Sequence, residues 1–202
     1  NNMDNKEKLT LEYYNNNASK FVSGTVDVEF TEMQDKFLAR LESGARILDF
    51  GCGSGRDAKY FLDKGFKVTA TDGSEELCKI AGELTGLEVK QMLFDELDEK
   101  EAYDGVWACA SILHVPYDQL VSVMQRVADA LVPGGVFYTS FKYGDFAGER
   151  NGRFFTDLTE ETLEVLVDKV DGLCIDETWV SADVRPGREN EKWLNVFMRK
   201  TK

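Results

Sequence analysis

The sequence predicts an α/β fold, a doubly wound and mostly parallel seven-stranded sheet with an antiparallel last strand. Three observations lead there. Short β-branched or apolar runs alternate with helical patterns through most of the chain, as a parallel sheet covered by helices on both faces requires. The glycine-rich turn Asp49-Phe50-Gly51-Cys52-Gly53-Ser54-Gly55 joins one such run to a helix. Only about ten residues, Arg185-Pro186-Gly187-Arg188 among them, separate the last two runs; a parallel crossover takes a dozen or more, so these two form an antiparallel hairpin.

Two helices precede the first strand, around Lys6–Lys20 and Glu29–Leu41, the second with Phe30, Met33, Phe37, Leu38 and Leu41 as a buried stripe. Gly44 ends this preamble, so residues 4–43 are expected to form a helical cap on a single domain spanning residues 1–202. Strands are predicted at Arg46–Phe50, Lys67–Thr71, Glu88–Met92, Gly105–Ala110, Gly135–Phe141, Leu173–Val180 and Lys192–Arg199. Between them Asp57–Lys64, Ser74–Leu84, Tyr117–Leu131 and Thr159–Val167 carry apolar residues at helical spacing, as in Leu120, Val123, Met124, Val127 and Leu131. Gly144–Thr156 has the weakest periodicity and is expected to be a mobile loop.

With 202 residues, 43% of them hydrophobic, the chain can bury one sizeable core but hardly two. Its net charge of -13 argues against gripping a phosphate backbone, so no nucleic-acid partner is expected. Cys52, Cys78, Cys109 and Cys174 are scattered without a CxxC pair, which suits reduced thiols in a cytoplasmic protein. No stretch approaches the roughly 18 apolar residues of a membrane span, so no membrane partner is expected. A single histidine and dispersed carboxylates predict no metal site.

The turn at residues 49–55 carries the chemistry. Glycines there permit positive φ and let backbone N–H groups approach a ligand at the start of the next helix. Gly53-Ser54-Gly55-Arg56-Asp57-Ala58 also satisfies the GxGxxA form of the dinucleotide fingerprint, which keeps an NAD-dependent oxidoreductase in view. Against it stands Asp49, two residues before the first glycine, an acid that would repel pyrophosphate and suits a cationic amino-acid ligand. Asp72, ending the second strand 23 residues later, can accept from both ribose hydroxyls, as both cofactor classes need. Both acids could instead cap turns. Cys52 reads as a small filler whose backbone N–H is its useful group.

Together the segments Ile47-Leu48-Asp49-Phe50-Gly51-Cys52-Gly53-Ser54-Gly55, Thr69-Ala70-Thr71-Asp72-Gly73-Ser74, Tyr103-Asp104-Gly105-Val106-Trp107 and Leu131-Val132-Pro133-Gly134-Gly135 resemble the class I S-adenosylmethionine-dependent methyltransferases. Through Ala110-Ser111-Ile112-Leu113-His114-Val115-Pro116 and its short length, the chain looks most like the small bacterial tellurite-resistance-type members. The resemblance implies S-adenosyl-L-methionine as cofactor and S-adenosyl-L-homocysteine as product. It places the methionine part at Asp49, Gly51, Cys52 and Gly53, the ribose at Asp72 and Gly73, and the adenine near Phe94 or Asp95 and Ala110. It also implies that the N-terminal helix folds over the cofactor, with Tyr14 against it and Tyr13 toward the acceptor; aromatic faces suit a sulfonium.

His114 follows the fourth strand at the sheet edge where such folds bind ligands, and is the candidate base or acceptor-positioning group; it could equally satisfy local backbone groups. Arg150, Arg153, Arg185 and Arg188 fall in loops at the same edge and are candidates for binding an acidic acceptor, since guanidinium groups grip carboxylate and phosphate bidentately. The alternative is pairing with Glu149, Asp183, Glu189 and Glu191. The expected activity is direct in-line methyl transfer to a small, anionic acceptor. A cofactor-binding regulator without turnover and an NAD-dependent oxidoreductase are the rival readings; the oligomeric state is left open.

Overall fold

The computed structural model describes residues 4–27 and 29–201. In chain order its elements are α1 (Asn5–Thr25), α2 (Thr31–Leu38), β1 (Arg46–Phe50), α3 (Arg56–Asp63), β2 (Lys67–Asp72), α4 (Glu75–Thr85), β3 (Lys90–Gln91), β4 (Tyr103–Ala108), α5 (Tyr117–Ala130), β5 (Leu131–Lys142), β6 (Ala147–Arg150), β7 (Arg153–Thr156), α6 (Glu160–Asp168), β8 (Leu173–Ala182) and β9 (Lys192–Lys200). Seven of the strands form one sheet in the order β3-β2-β1-β4-β5-β9-β8. β3, β2, β1, β4 and β5 are parallel. β9 runs antiparallel to both β5 and β8, as the short final connection requires. The strand order reverses between β1 and β4, and ligands bind at such a switch point, outside the carboxyl ends of the strands.

Burial follows from the two-sided sheet. On one face Leu48, Val106, Phe137 and Met198 meet α5 and α6 through Val123, Met124, Val127, Leu163 and Leu166. On the other, Ile47, Trp107, Val136, Tyr138 and Phe197 meet Phe37 of α2 and Phe61 of α3. Trp107 stacks on Tyr138 with ring centroids 4.2 Å apart. A Cβ at Gly105 would come within 2.8 Å of Phe37, so that glycine lets α2 sit against the sheet.

The expected cap therefore divides. α2 belongs to the core layer, whereas α1 lies across the sheet's C-terminal edge against β7 and α4. The predicted third strand shrinks to two exposed residues, because only Lys90 and Gln91 find partners on β2 at this sheet edge. The expected loop at 144–156 is instead the hairpin of β6 and β7, which forms its own two-stranded sheet. Its turn is Asn151-Gly152 with φ of 49° and 85°, the left-handed pair that matches the twist of a tight hairpin.

Candidate active site

At the carboxyl ends of β1, β2, β4 and β5 the structure opens a cavity of ≈ 260 Å³, roofed by α1 and by β7. Its floor is the turn after β1. Gly51 (φ 82°) cannot be replaced by a larger residue, since a Cβ there would lie 2.5 Å from Cβ of Ser111, whose hydroxyl donates to the Phe50 carbonyl at 2.7 Å. The backbone amides of Gly51 and Cys52 both donate to the Thr71 carbonyl, at 3.0 and 2.9 Å. That corrects the expectation for Cys52: it lines the cavity, but its N–H is committed to β2. Burial pushes its thiol well up, consistent with a filler.

Asp72 holds this floor in shape. One carboxylate oxygen accepts from Gly53 N and the other from Ser74 N, both at 2.9 Å, and each keeps a free lone pair toward the cavity that Asp72 and Gly73 line. Asp49 stands behind the floor, 2% exposed and outside the cavity lining, and its Oδ2 has no hydrogen-bond partner. Burial first, and then the Asp57 carboxylate, push its carboxyl well above the usual range.

Asp57 is the residue that reasoning from sequence missed. It accepts from Gln34 Nε2 (2.6 Å), Trp107 Nε1 (2.9 Å) and Arg56 Nε (3.0 Å), tying α2, α3 and β4 together beneath the turn. No spacing in the chain announces this cluster, because its members come from three separate elements. Phe94 and Asp95 both line the cavity, Phe94 edge-on to Phe50 at 4.9 Å between centroids. Ala110 lines it with a φ of 49°, its N–H donating to Ser140 Oγ at 2.8 Å.

His114 is buried among three elements. Its Nδ1 lies 2.8 Å from the Phe154 carbonyl of β7, which can only accept, so Nδ1 carries the proton. Nε2 is then an acceptor and takes the Tyr14 hydroxyl of α1 at 2.8 Å. Burial, aided by Arg153 and Lys142, lowers its pKa to about 3. The base reading of His114 is thereby corrected: the imidazole stays neutral and its one lone pair is occupied. It positions Tyr14.

Tyr14 also accepts from Arg153 Nη1 at 3.3 Å, and burial raises its own pKa. Tyr13 does not line the cavity; its ring packs against Gly152 and lies 4.6 Å beneath the Arg153 guanidinium. Of the four candidate arginines, Arg153, Arg185 and Arg188 line the cavity, and Arg150 does not. Arg150 is held by Asp157 in a two-pronged pair at 2.9 and 2.6 Å, which corrects its expected acceptor role. Arg185 is gripped by Asp183 at 3.0 and 2.7 Å, and Arg188 comes no closer to a carboxylate than 3.9 Å from Glu191. Among the described residues no group of three potential ligands could hold a metal ion, and no helix is long and apolar enough to cross a membrane.

The floor residues that line the cavity, Gly51, Gly53, Asp72 and Gly73, suit the methionine and ribose parts of S-adenosylmethionine, while Asp49 lies behind them with one oxygen unpartnered. Comparison with known proteins agrees. Residues 47–135 match the family described as methyltransferase domain. A ubiquinone biosynthesis O-methyltransferase of Xylella fastidiosa is 37% identical over 105 residues, 48% of this chain and 42% of the relative, so the chain spans less than half the length of that protein. An uncharacterized methyltransferase of Staphylococcus carnosus is 25% identical over 67% of this chain and 68% of its own. In fold the chain is similar to 1,6-didemethyltoxoflavin-N1-methyltransferase of Burkholderia thailandensis, a structure with bound S-adenosylhomocysteine (TM-score 0.70, 24% identity, 100% of this chain and 93% of the other). It is similar too to the [4+2]-cyclase SpnF (TM-score 0.68, 20% identity, 84% of each chain). The chain thus has the fold of these methyltransferase structures and carries a match to the methyltransferase domain at residues 47–135.

Proposed function

We propose that this protein binds S-adenosylmethionine across the turn at 49–55 and the end of β2, and directs its methyl group in line onto a small, anionic acceptor. One observation carries the reading: the two ends of a single cavity carry opposite charge. Around the turn stand Glu7, Asp57, Asp72 and Asp95 against Arg56, with Asp49 behind them. Beyond His114 stand Lys142, Arg153, Arg185 and Arg188 against Asp183. A cation suits the first end and an anion the second.

When bound, the cofactor supplies a methyl group on a sulfonium that departs as a neutral thioether. The chain's own part is alignment and exclusion of water, where oriented reactions reach effective molarities of about 10⁵ to 10⁸ M. Tyr14, fixed by His114, covers the cavity from α1 and presents a ring suited to a sulfonium. His114, Cys109 and Tyr14 are not poised to take a proton at neutral pH: His114 is held down at about 3, and Cys109 and Tyr14 are raised by burial. An acceptor that arrives already in its nucleophilic form needs no base from these three groups.

The narrower likeness to tellurite-resistance-type enzymes rests on residues 110–116, and an oxyanion acceptor would suit the basic end. The acidic net charge of -13 supports a small molecule over nucleic acid, and four free cysteines suit a cytoplasmic setting. The deciding experiment is calorimetric titration with S-adenosylhomocysteine, with NAD as rival, on the wild type and on Asp72→Ala. Tight binding of the homocysteine ligand, lost in the variant, supports the reading; preference for NAD overturns it. A second reading is cofactor binding without methyl transfer, since a fold does not fix an activity, and a methylated product from any acceptor panel rejects it.

A further inference from the structure

Arg153 differs from the other cations of the basic end. Lys142 has Glu191 at 3.1 Å and Arg185 has Asp183 at 2.7 Å, while Arg150, outside the cavity, has Asp157 at 2.6 Å. Arg153 forms no ion pair among the described residues; its Nη1 donates to Tyr14, and its Nε is buried without any partner. Its guanidinium lies over the rings of Tyr13 (4.6 Å), Phe155 (5.1 Å) and Tyr14 (5.7 Å). A guanidinium held among aromatic rings has shed much of its water, and its open N–H groups then favour a planar oxyanion.

The hydrogen bonds behind it all run one way. Arginine only donates and a carbonyl only accepts, so the sequence Arg153 Nη1–H to Tyr14 oxygen, Tyr14 O–H to His114 Nε2, and His114 Nδ1–H to the Phe154 carbonyl has a single assignment of protons. One Nη1 donor is spent on this chain, and it anchors the guanidinium at the cavity wall with the rest of its donors uncommitted.

We infer that Arg153 is the specificity-determining residue of the acceptor end: it binds a carboxylate or comparable planar oxyanion carried by the acceptor, while Arg150 and Arg185 are structural. This rests on the methyltransferase reading of the same cavity. The shared chemistry, a carboxylate, is also present on the cofactor, so the test separates the two sources.

Benzoate and the neutral isostere benzamide are titrated calorimetrically into wild type, Arg153→Gln, Arg153→Lys and Arg150→Gln, each with and without saturating S-adenosylhomocysteine. The expected result is that benzoate binds the saturated wild type at least tenfold tighter than benzamide. Arg153→Gln abolishes that preference, Arg153→Lys keeps part of it, and Arg150→Gln keeps all of it, while affinity for S-adenosylhomocysteine changes less than threefold in every variant. The inference is overturned if the wild type does not prefer benzoate or if the preference survives Arg153→Gln. It is also overturned if Arg153→Gln weakens S-adenosylhomocysteine tenfold or more, which would assign the guanidinium to the cofactor. If the wild type fails to bind S-adenosylhomocysteine at all, the proposed function falls, and the ligand-free arm still reads Arg153.

Discussion

The two ends of the cavity are built on opposite plans. At the turn end, buried and half-buried carboxylates are crowded together without enough cations: desolvation raises Asp49, Asp72 and Glu7 alike, and Asp57 adds to the strain on Asp49. At the hairpin end, most of the cations are already answered by carboxylates: burial pushes Asp183 up, but hydrogen bonds from Arg185 and the Trp193 indole outweigh it and hold the carboxyl down at about 2. The first end gains stability when a cation arrives, whereas the second is largely self-satisfied and keeps the Arg153 guanidinium open. Buried polar groups left unpartnered in this way are where ligands find their binding energy.

That contrast can be broken most forcefully at Asp72. Its removal orphans the amides of Gly53 and Ser74 and, in the proposed cofactor site, the ribose hydroxyls too; charge-assisted bonds of this kind contribute about 3 kcal/mol together, so Asp72→Ala should weaken S-adenosylhomocysteine about 100-fold. Next comes Asp49→Asn, for which the two ends predict opposite signs in two measurements. Relief of the Asp49–Asp57 repulsion should raise the melting temperature of the ligand-free protein, while ligand affinity falls about tenfold, roughly 1.4 kcal/mol. In the wild type, affinity for the cationic cofactor should decline as pH falls through the raised Asp49 titration, because cation binding favours the ionised form.

At the hairpin end, Arg150→Ala leaves the buried Asp157 without its partner; with Arg150 partly exposed, a loss of about 1–2 kcal/mol in urea unfolding is expected, with ligand affinity unchanged. The smallest effect concerns His114. Its unfolded form takes a proton below about 6.5 and its folded form only near 3, so its contribution is whole above 6.5 and is lost as pH falls toward 3. Stability measured across that window should fall less steeply in His114→Asn, and methyl transfer should show no titration attributable to histidine near neutrality.

The turn end was the legible one. The strand at Arg46–Phe50 lies where apolar periodicity puts it, and the acid and glycine spacing that marks the floor is local to a few residues. The hairpin end was not. Asn151-Gly152 is a strong hairpin signal that the weak periodicity around it masked, and with the hairpin unseen its two arginines looked equivalent. They are register partners on the hairpin, yet Arg150 reaches to Asp157 and Arg153 turns to α1, a difference that only tertiary packing sets. His114 was misjudged for the same reason, since its basicity depends on burial beneath Tyr14 and Phe155.

Along α1, Thr10 Oγ1 accepts from the Phe154 amide of β7 at 3.1 Å, Tyr14 donates to His114 and Asn15 Oδ1 accepts from the Ser74 hydroxyl at 2.6 Å. Two consecutive turns of one helix are thus stitched to three different parts of the chain. In hydrogen-exchange terms, the helix and the hairpin form one opening unit: the amide of Phe154 should exchange at the rate set by α1 lifting away, and both should slow together when ligand fills the cavity beneath them.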